Sequence, residues 1–106
     1  MTDPAADVSV TPDRDQHRYE ARDGAGAVAG FIDYQDAGQV VVLSHTEVDP
    51  AFEGRGIGSV LARAALDDVR ARELKALVTC PFIIGWLKRH REYVDVLYNA
   101  PARGGQ

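Results

Sequence analysis

The sequence predicts one α/β domain of the α+β kind, in which an antiparallel strand meander precedes a helix, a parallel strand and a second helix. The chain has 106 residues, of which 45% are hydrophobic and 26% charged, which is typical of one globular domain. Residues 17–22 and 27–35 alternate apolar and polar side chains as strands do, whereas residues 58–72 change to helical spacing. We expect a domain over residues 8–98, with loose termini at 1–7 and 99–106 because these ends lack apolar anchors.

Turn residues separate four stretches of strand character in the first half of the chain: residues 8–10, 17–22, 27–35 and 39–48. Pro12 is expected to end the first stretch. The fourth stretch is the strongest because it is rich in β-branched residues. Short turns rich in glycine and aspartate predict hairpins between them, hence an antiparallel meander.

After residue 49 the pattern predicts a helix over 58–72, a strand over 75–80 and a helix over 82–90. The apolar face of the first helix holds Ile57, Val60, Leu61, Ala64, Ala65 and Val69. The opposite, polar face holds Ser59, Arg63, Asp67 and Arg70. Leu66 falls on the polar side, and the periodicity does not account for it. A strand, helix, strand order predicts one parallel pair with a right-handed connection.

Charge is distributed unevenly along the chain. Residues 1–53 carry eleven acidic and three basic side chains, and residues 54–106 carry five and nine, for a net charge of −4. A local positive field in an acidic protein suits a small anionic ligand better than nucleic acid, although solvated helix faces explain such charges equally well.

No apolar run is long enough to span a membrane, and the N-terminus does not resemble a signal peptide. The single cysteine, Cys80, excludes an internal disulfide. We therefore expect a cytoplasmic protein without membrane partners.

Three glycines stand at every second position directly before the first helix, in Gly54-Arg55-Gly56-Ile57-Gly58. Glycines let backbone N–H groups approach a ligand, and a helix N-terminus adds unpaired donors, so the pattern predicts a phosphate site. A plain turn would need only one glycine. A dinucleotide fingerprint would place the third glycine one residue later, and a P-loop would place lysine before Ser59.

The segment from Glu53 to Gly58 resembles the Q/R-x-x-G-x-G/A signature of the GNAT superfamily of N-acetyltransferases, with Glu53 in place of Gln or Arg. A closer likeness, to the short predicted-acetyltransferase branch of N-acetyltransferase domain-containing proteins, covers residues 8–98. The strings that support it are His45-Thr46-Glu47-Val48, Gly56-Ile57-Gly58, Ala64-Ala65-Leu66-Asp67-Asp68, Cys80-Pro81-Phe82 and His90-Arg91-Glu92-Tyr93.

This resemblance implies a minimal GNAT-like fold that binds acetyl-CoA. It implies that the strands ending at Val48 and Cys80 splay apart and that the pantetheine arm of the cofactor enters between them. The implied cofactor residues are Thr46, Val48, Gly54, Arg55, Gly56, Ile57, Gly58, Ser59, Pro81, Phe82 and Arg89. For Arg89, a solvated helix end is an equally good interpretation.

Acetyl transfer needs a base for the amine and an acid for the leaving thiolate. His45 and Glu47 lie two apart on a strand and therefore share a face, so either is a candidate base. Many GNAT enzymes carry a tyrosine in the last helix that protonates the leaving thiolate. The corresponding helix here has no tyrosine, and Tyr93 lies beyond it. Cys80, before a helix N-terminus, is a candidate nucleophile with His45 as its base, or else a small buried residue.

The function implied is transfer of acetyl from acetyl-CoA to an amine, either a small molecule or a lysine or polyamine. The alternatives are a non-catalytic CoA-binding or regulatory module, and a protein-interaction module with a merely structural turn. No metal is expected, because His17, His45, His90 and Cys80 lack the paired spacing of zinc ligands.

Overall fold

The computed structural model describes residues 8–98, so the predicted loose termini at 1–7 and 99–106 lie outside the described residues. The elements are strands β1 (Ser9–Asp13), β2 (Arg18–Arg22), β3 (Val28–Ala37) and β4 (Val40–Val48), helix α1 (Ile57–Ala71), strand β5 (Lys75–Val78) and helix α2 (Pro81–Lys88). Short 3₁₀ helices lie at Pro50–Phe52 and Arg91–Val96. The sheet order is β1-β2-β3-β4-β5, antiparallel up to β4 and parallel between β4 and β5, which confirms the α+β prediction.

Two strand ends differ from the prediction. β1 continues through Pro12, which the sheet tolerates because β1 is an edge strand. β5 ends at Val78 because Cys80 has become the extended N-cap residue of α2. None of the helices in the described part of the chain is long and apolar enough to cross a membrane.

The hydrophobic core lies between the sheet and the helices. The buried hydroxyl of Tyr19 on β2 donates a hydrogen bond to Asp68 on α1, 2.7 Å away, which places α1 against the sheet. The indole N–H of Trp86 on α2 donates to the Ser59 hydroxyl at 2.8 Å, which places α2 beside the first turn of α1. Burial and the neighbouring Asp68 carboxylate both raise the pKa of Tyr19.

The prediction for the faces of α1 is partly wrong. Leu66 is fully buried, as is Ala62, whereas Val60 and Ala64 are only partly buried. The reason is that α2 and the 3₁₀ helix Arg91–Val96 also pack against α1, although Arg63, Asp67 and Arg70 on its polar face remain exposed. The polar residues there bond to these elements, in the pairs Ser59 with Trp86, Arg63 and Asp67 with Tyr93, and Arg70 with Asp95.

One extra residue in β4 changes which side chains face the helices. Asp33 pairs with His45 and the next residue, Tyr34, pairs with Leu43, so Ser44 is an inserted bulge residue. Before the bulge Leu43 faces the core, and after it Thr46 does, because the alternation shifts by one position. His45 and Glu47 consequently lie exposed on the opposite face of the sheet, which we call the open face.

β4 and the edge strand β5 separate at the same point. β4 pairs with β5 only from Val40 to Leu43, although β4 continues to Val48 in its pairing with β3. Beyond Leu43 a gap opens between the end of β4 and the start of α2. The splay that the resemblance implied is therefore present.

Candidate functional site

A cavity of about 500 Å³ lies between the turn before α1 and the exposed side of α2. Its volume is within the range of small-molecule sites. The residues that line it are Val48, Phe52, Glu53, Gly54, Gly56, Ile57, Gly58, Ser59, Phe82, Trp86, Arg89 and His90.

The glycine turn presents a row of backbone donors to this cavity. Gly54 and Gly56 have φ angles of +81° and +76°, a left-handed conformation that favours glycine. No side chain caps α1, and the first helical bond runs from the Val60 N–H to the Gly56 carbonyl. The N–H groups of residues 54–59 therefore have no partner among residues 8–98. Such a cradle at the N-terminus of a fifteen-residue helix fits an anion.

Most of the predicted cofactor residues line this cavity, but three do not. The Arg55 guanidinium lies over the Phe52 ring, 5.3 Å from its centre. Pro81 is the first residue of α2, where its fixed φ suits a helix start. Thr46 points into the gap between the splayed strands instead.

The gap is bridged by Thr46 and Cys80. The Thr46 hydroxyl oxygen lies 3.3 Å from the Cys80 sulfur, and the thiol residue is only 3% exposed. The backbone N–H groups of Thr79 and Cys80 both donate to the Leu43 carbonyl, which fixes the end of β5 against β4. Cys80 therefore lies at the edge of the gap, in contact with Thr46.

His45 and Glu47 form a pair on the open face. His45 Nε2 lies 3.2 Å from a Glu47 carboxylate oxygen, and both side chains are more than half exposed. The Phe31 ring is the aromatic neighbour of His45, at 6.3 Å between ring centres.

The structure does not bring His45, the predicted base for Cys80, to the thiol. Among residues 8–98 no hydrogen bond joins His45 or Glu47 to Cys80. The cause is the bulge at Ser44, which turns His45 to the open face and brings Thr46 to the thiol.

His90 lines the cavity together with Trp86, although the sequence did not single it out as a site residue. The two rings are stacked, with centres 3.8 Å apart and planes inclined by 10°. His90 Nδ1 lies 2.8 Å from the Trp86 carbonyl oxygen. Their spacing of four residues is the one sequence signal that would have suggested this contact.

Tyr93 has a structural role. Its buried hydroxyl donates to Asp67 at 2.7 Å, and burial followed by the Asp67 carboxylate raises the pKa of Tyr93. Tyr93 does not line the cavity, so it is not placed to protonate a leaving thiolate there as the helix tyrosine of many GNAT enzymes does. Within residues 8–98 no group of three or more histidine, cysteine or acidic side chains is placed to hold a metal ion.

Comparison with known proteins agrees with this geometry. Residues 18–96 match the family model described as GCN5-related N-acetyltransferase. Protein NATD1 from Xenopus tropicalis is 37% identical over 89 residues, which cover 83% of this chain and 82% of that protein. Protein NATD1 from Homo sapiens is 37% identical over 84 residues, covering 78% and 74%. An NMR structure of a GCN5-like protein from Staphylococcus aureus shares the fold, with a TM-score of 0.68 at 20% identity over 95% of this chain and 98% of that one.

Proposed function

We propose, because this chain belongs to the GCN5-related N-acetyltransferase family, that it binds acetyl-CoA between its glycine turn and α2 and transfers the acetyl group to an amine. The observation that supports this proposal most strongly is the row of N–H groups at residues 54–59 that have no partner among residues 8–98, beside a cavity that Val48 at the end of β4 also lines. A pyrophosphate needs several converging donors, and this cradle supplies them without a side-chain cation.

The residues present fit the cofactor. The amides of residues 54–59 would hold the pyrophosphate, and Arg89 would add charge at the cavity wall. The polar backbone of β4 beyond Leu43 is unpaired on its β5 side and would receive the amides of the pantetheine arm. When bound, acetyl-CoA supplies a thioester whose carbonyl carbon an amine attacks.

His45 and Glu47 are the groups that would take the proton from the amine. Glu47 accepts a hydrogen bond from the His45 ring and so orients it, and both lie on the open face, where an acceptor can reach them. Glu47 has no cationic partner other than His45 among residues 8–98, so its carboxylate is available to an ammonium group. An amine of the lysine or polyamine type is therefore the acceptor that we favour.

Direct transfer is favoured over a covalent route through Cys80. A nucleophilic thiol needs a base within hydrogen-bond reach, and among residues 8–98 the only side chain that makes a polar contact with this thiol is Thr46, through its hydroxyl. Thr46 and Cys80 would instead present their polar hydrogens in the gap, where the leaving sulfur needs a donor.

Cofactor binding is tested by NMR titration of acetyl-CoA into the wild type, Gly56→Asp and Gly56→Asn. Both side chains tolerate the left-handed conformation, and no heavy atom lies within 4 Å of a Cβ at this position, so the pair differs mainly in charge. A carboxylate a few ångströms from the pyrophosphate should weaken binding about tenfold or more relative to Gly56→Asn. Equal affinity of the two variants, or no shifts at residues 54–59, would contradict the proposed site.

Turnover is tested separately by release of free CoA thiol with spermidine and with a lysine peptide. Loss of this release in His45→Gln and Glu47→Gln, with acetyl-CoA affinity unchanged, is the expected result. Acetylated Cys80 in the intact mass, with activity lost in Cys80→Ala, would overturn direct transfer. Saturable binding without release for any amine would support the alternative of a non-catalytic CoA-binding module.

A further inference from the structure

The stacked pair Trp86 and His90 forms a flat surface at one end of the cavity. Trp86 is only 1% exposed, so its indole cannot itself receive a ligand ring. One indole face is covered by the His90 ring, and the indole N–H is occupied by the Ser59 hydroxyl. The Arg63 guanidinium lies 5.5 Å from the indole centre, on α1. The indole is therefore a rigid backing for His90.

His90 is held in one orientation while part of it stays accessible. Because the Trp86 carbonyl can only accept, His90 Nδ1 carries the proton of their hydrogen bond. The backbone N–H of His90 also donates to the Leu87 carbonyl. The ring is partly exposed and lines the cavity, and its nearly parallel stack on Trp86 leaves the other ring face turned away from the indole.

The position of this surface along α2 matches one end of the cofactor. Cys80 and Phe82 lie at the start of α2, beside the gap, whereas Arg89 and His90 lie just past its end. Eight helical residues span about 12 Å, so the sulfur end and this end of the site are well separated. Arg89 lines the cavity next to His90 and provides a positive charge beside the flat surface.

We propose that the free face of His90 stacks on the adenine base of the cofactor, as the third layer on Trp86, with Arg89 facing the 3′-phosphate. This inference rests on the proposed function, because it assigns the nucleotide end of the same cavity. A purine is a planar ring that stacks on aromatic surfaces, and backing by Trp86 removes the cost of ordering the His90 ring upon binding.

The experiment separates the two halves of the cofactor. Calorimetric dissociation constants are measured for acetyl-CoA, adenosine 3′,5′-bisphosphate and 4′-phosphopantetheine with the wild type, His90→Ala, His90→Phe and Lys88→Ala. Lys88 is the matched control, since it is an exposed cation on the same helix that does not line this cavity.

His90→Ala should weaken acetyl-CoA and the bisphosphate about tenfold and leave 4′-phosphopantetheine unchanged. His90→Phe, which keeps a flat ring but loses the bond to Trp86, should restore most of that affinity. Equal weakening of all three ligands by His90→Ala, or no rescue by His90→Phe, would show a merely structural role and overturn the inference. If acetyl-CoA binds the wild type and His90→Ala equally, the stacking is wrong and the proposed function stands. If the wild type binds none of the three, the proposed function fails and this inference fails with it.

Discussion

Gly30 on β3 allows β3 and β4 to approach closely where β4 ends beside the cavity. Gly30 pairs with Val48, and a Cβ added to Gly30 would lie 2.7 Å from the Glu47 carbonyl oxygen and 3.2 Å from the Val48 Cα. It would also lie 3.2 Å from a methyl carbon of Leu61 on α1. Since the first two contacts are backbone atoms, no side-chain rotation relieves them, and the end of β4 itself must move.

The magnitude for Gly30→Ala follows from two opposing effects. Overpacking of this kind costs roughly 1–3 kcal/mol, whereas alanine lowers the entropy of the unfolded chain and returns about 0.4–1 kcal/mol. We therefore expect a net loss of about 1–2 kcal/mol in the free energy of unfolding. For a domain of this size, that corresponds to a fall in Tm of roughly 4–15 °C.

Gly24→Ala is the matched control, because no heavy atom lies within 4 Å of a Cβ at Gly24 and its φ is not left-handed. This variant should be as stable as the wild type or slightly more stable. Urea unfolding followed by circular dichroism measures both proteins. If Gly30→Ala matched Gly24→Ala within about 0.5 kcal/mol, the close approach of the two strands would not be a constraint, and the reasoning would be refuted.

Three further predictions concern the titration of two buried tyrosines, the charge of Glu53 at the cavity wall and the reactivity of Cys80 at the gap. Because their pKa values are raised in the folded state, Tyr19 and Tyr93 stabilise the fold below pH 10 and lose that contribution as the pH rises, by up to about 1.4 kcal/mol per pH unit for each tyrosine. Urea unfolding between pH 9 and 12 should show a stability that is level below about pH 10 and falls above it, less steeply in Tyr19→Phe; an equally steep fall in Tyr19→Phe would contradict the assignment. Glu53 lines the cavity, so Glu53→Gln should tighten acetyl-CoA binding by roughly threefold in calorimetry, and weaker binding would mean that its carboxylate is not near the phosphates. Cys80 is 3% exposed, so an aromatic disulfide reagent should modify it much more slowly in the folded than in the urea-unfolded protein, and equal rates would contradict its burial.

The parts of the fold that the sequence predicted are those that depend on local pattern. The alternation in residues 27–35 and the β-branched residues in 39–48 led to β3 and β4 within two residues at each end, and the glycine turn was followed by α1 as expected. The cavity residues of that turn could also be predicted from the sequence, because the glycine spacing indicates a left-handed backbone and N–H groups without partners at the start of the helix.

The parts that sequence reasoning missed depend on partners distant in the chain. Leu66 looked misplaced because the pattern cannot know that α2 and the following 3₁₀ helix cover a second side of α1. Asp67 lies on the polar face and is exposed, as predicted, but the pattern could not show that it accepts a hydrogen bond from Tyr93. His90 was missed because its role in the cavity arises from the ring on which it stacks.

The bulge at Ser44 links the fold to the proposed chemistry. The residue pattern established that His45 and Glu47 share a face, but a single inserted residue decides which face, and its position depends on the pairing with β3. If β4 kept its regular alternation through Ser44 instead of forming a bulge, His45 would point towards the helices, and the side chain nearest Cys80 would not be Thr46. The pairing of β4 with β5 also stops at Leu43, directly before the bulge, as expected where a bulge increases local twist. The same residue therefore accounts for both the gap and the separation of the acid–base pair from the cavity. It follows, on the proposed function, that cofactor and amine approach from opposite faces of the sheet and meet at the gap.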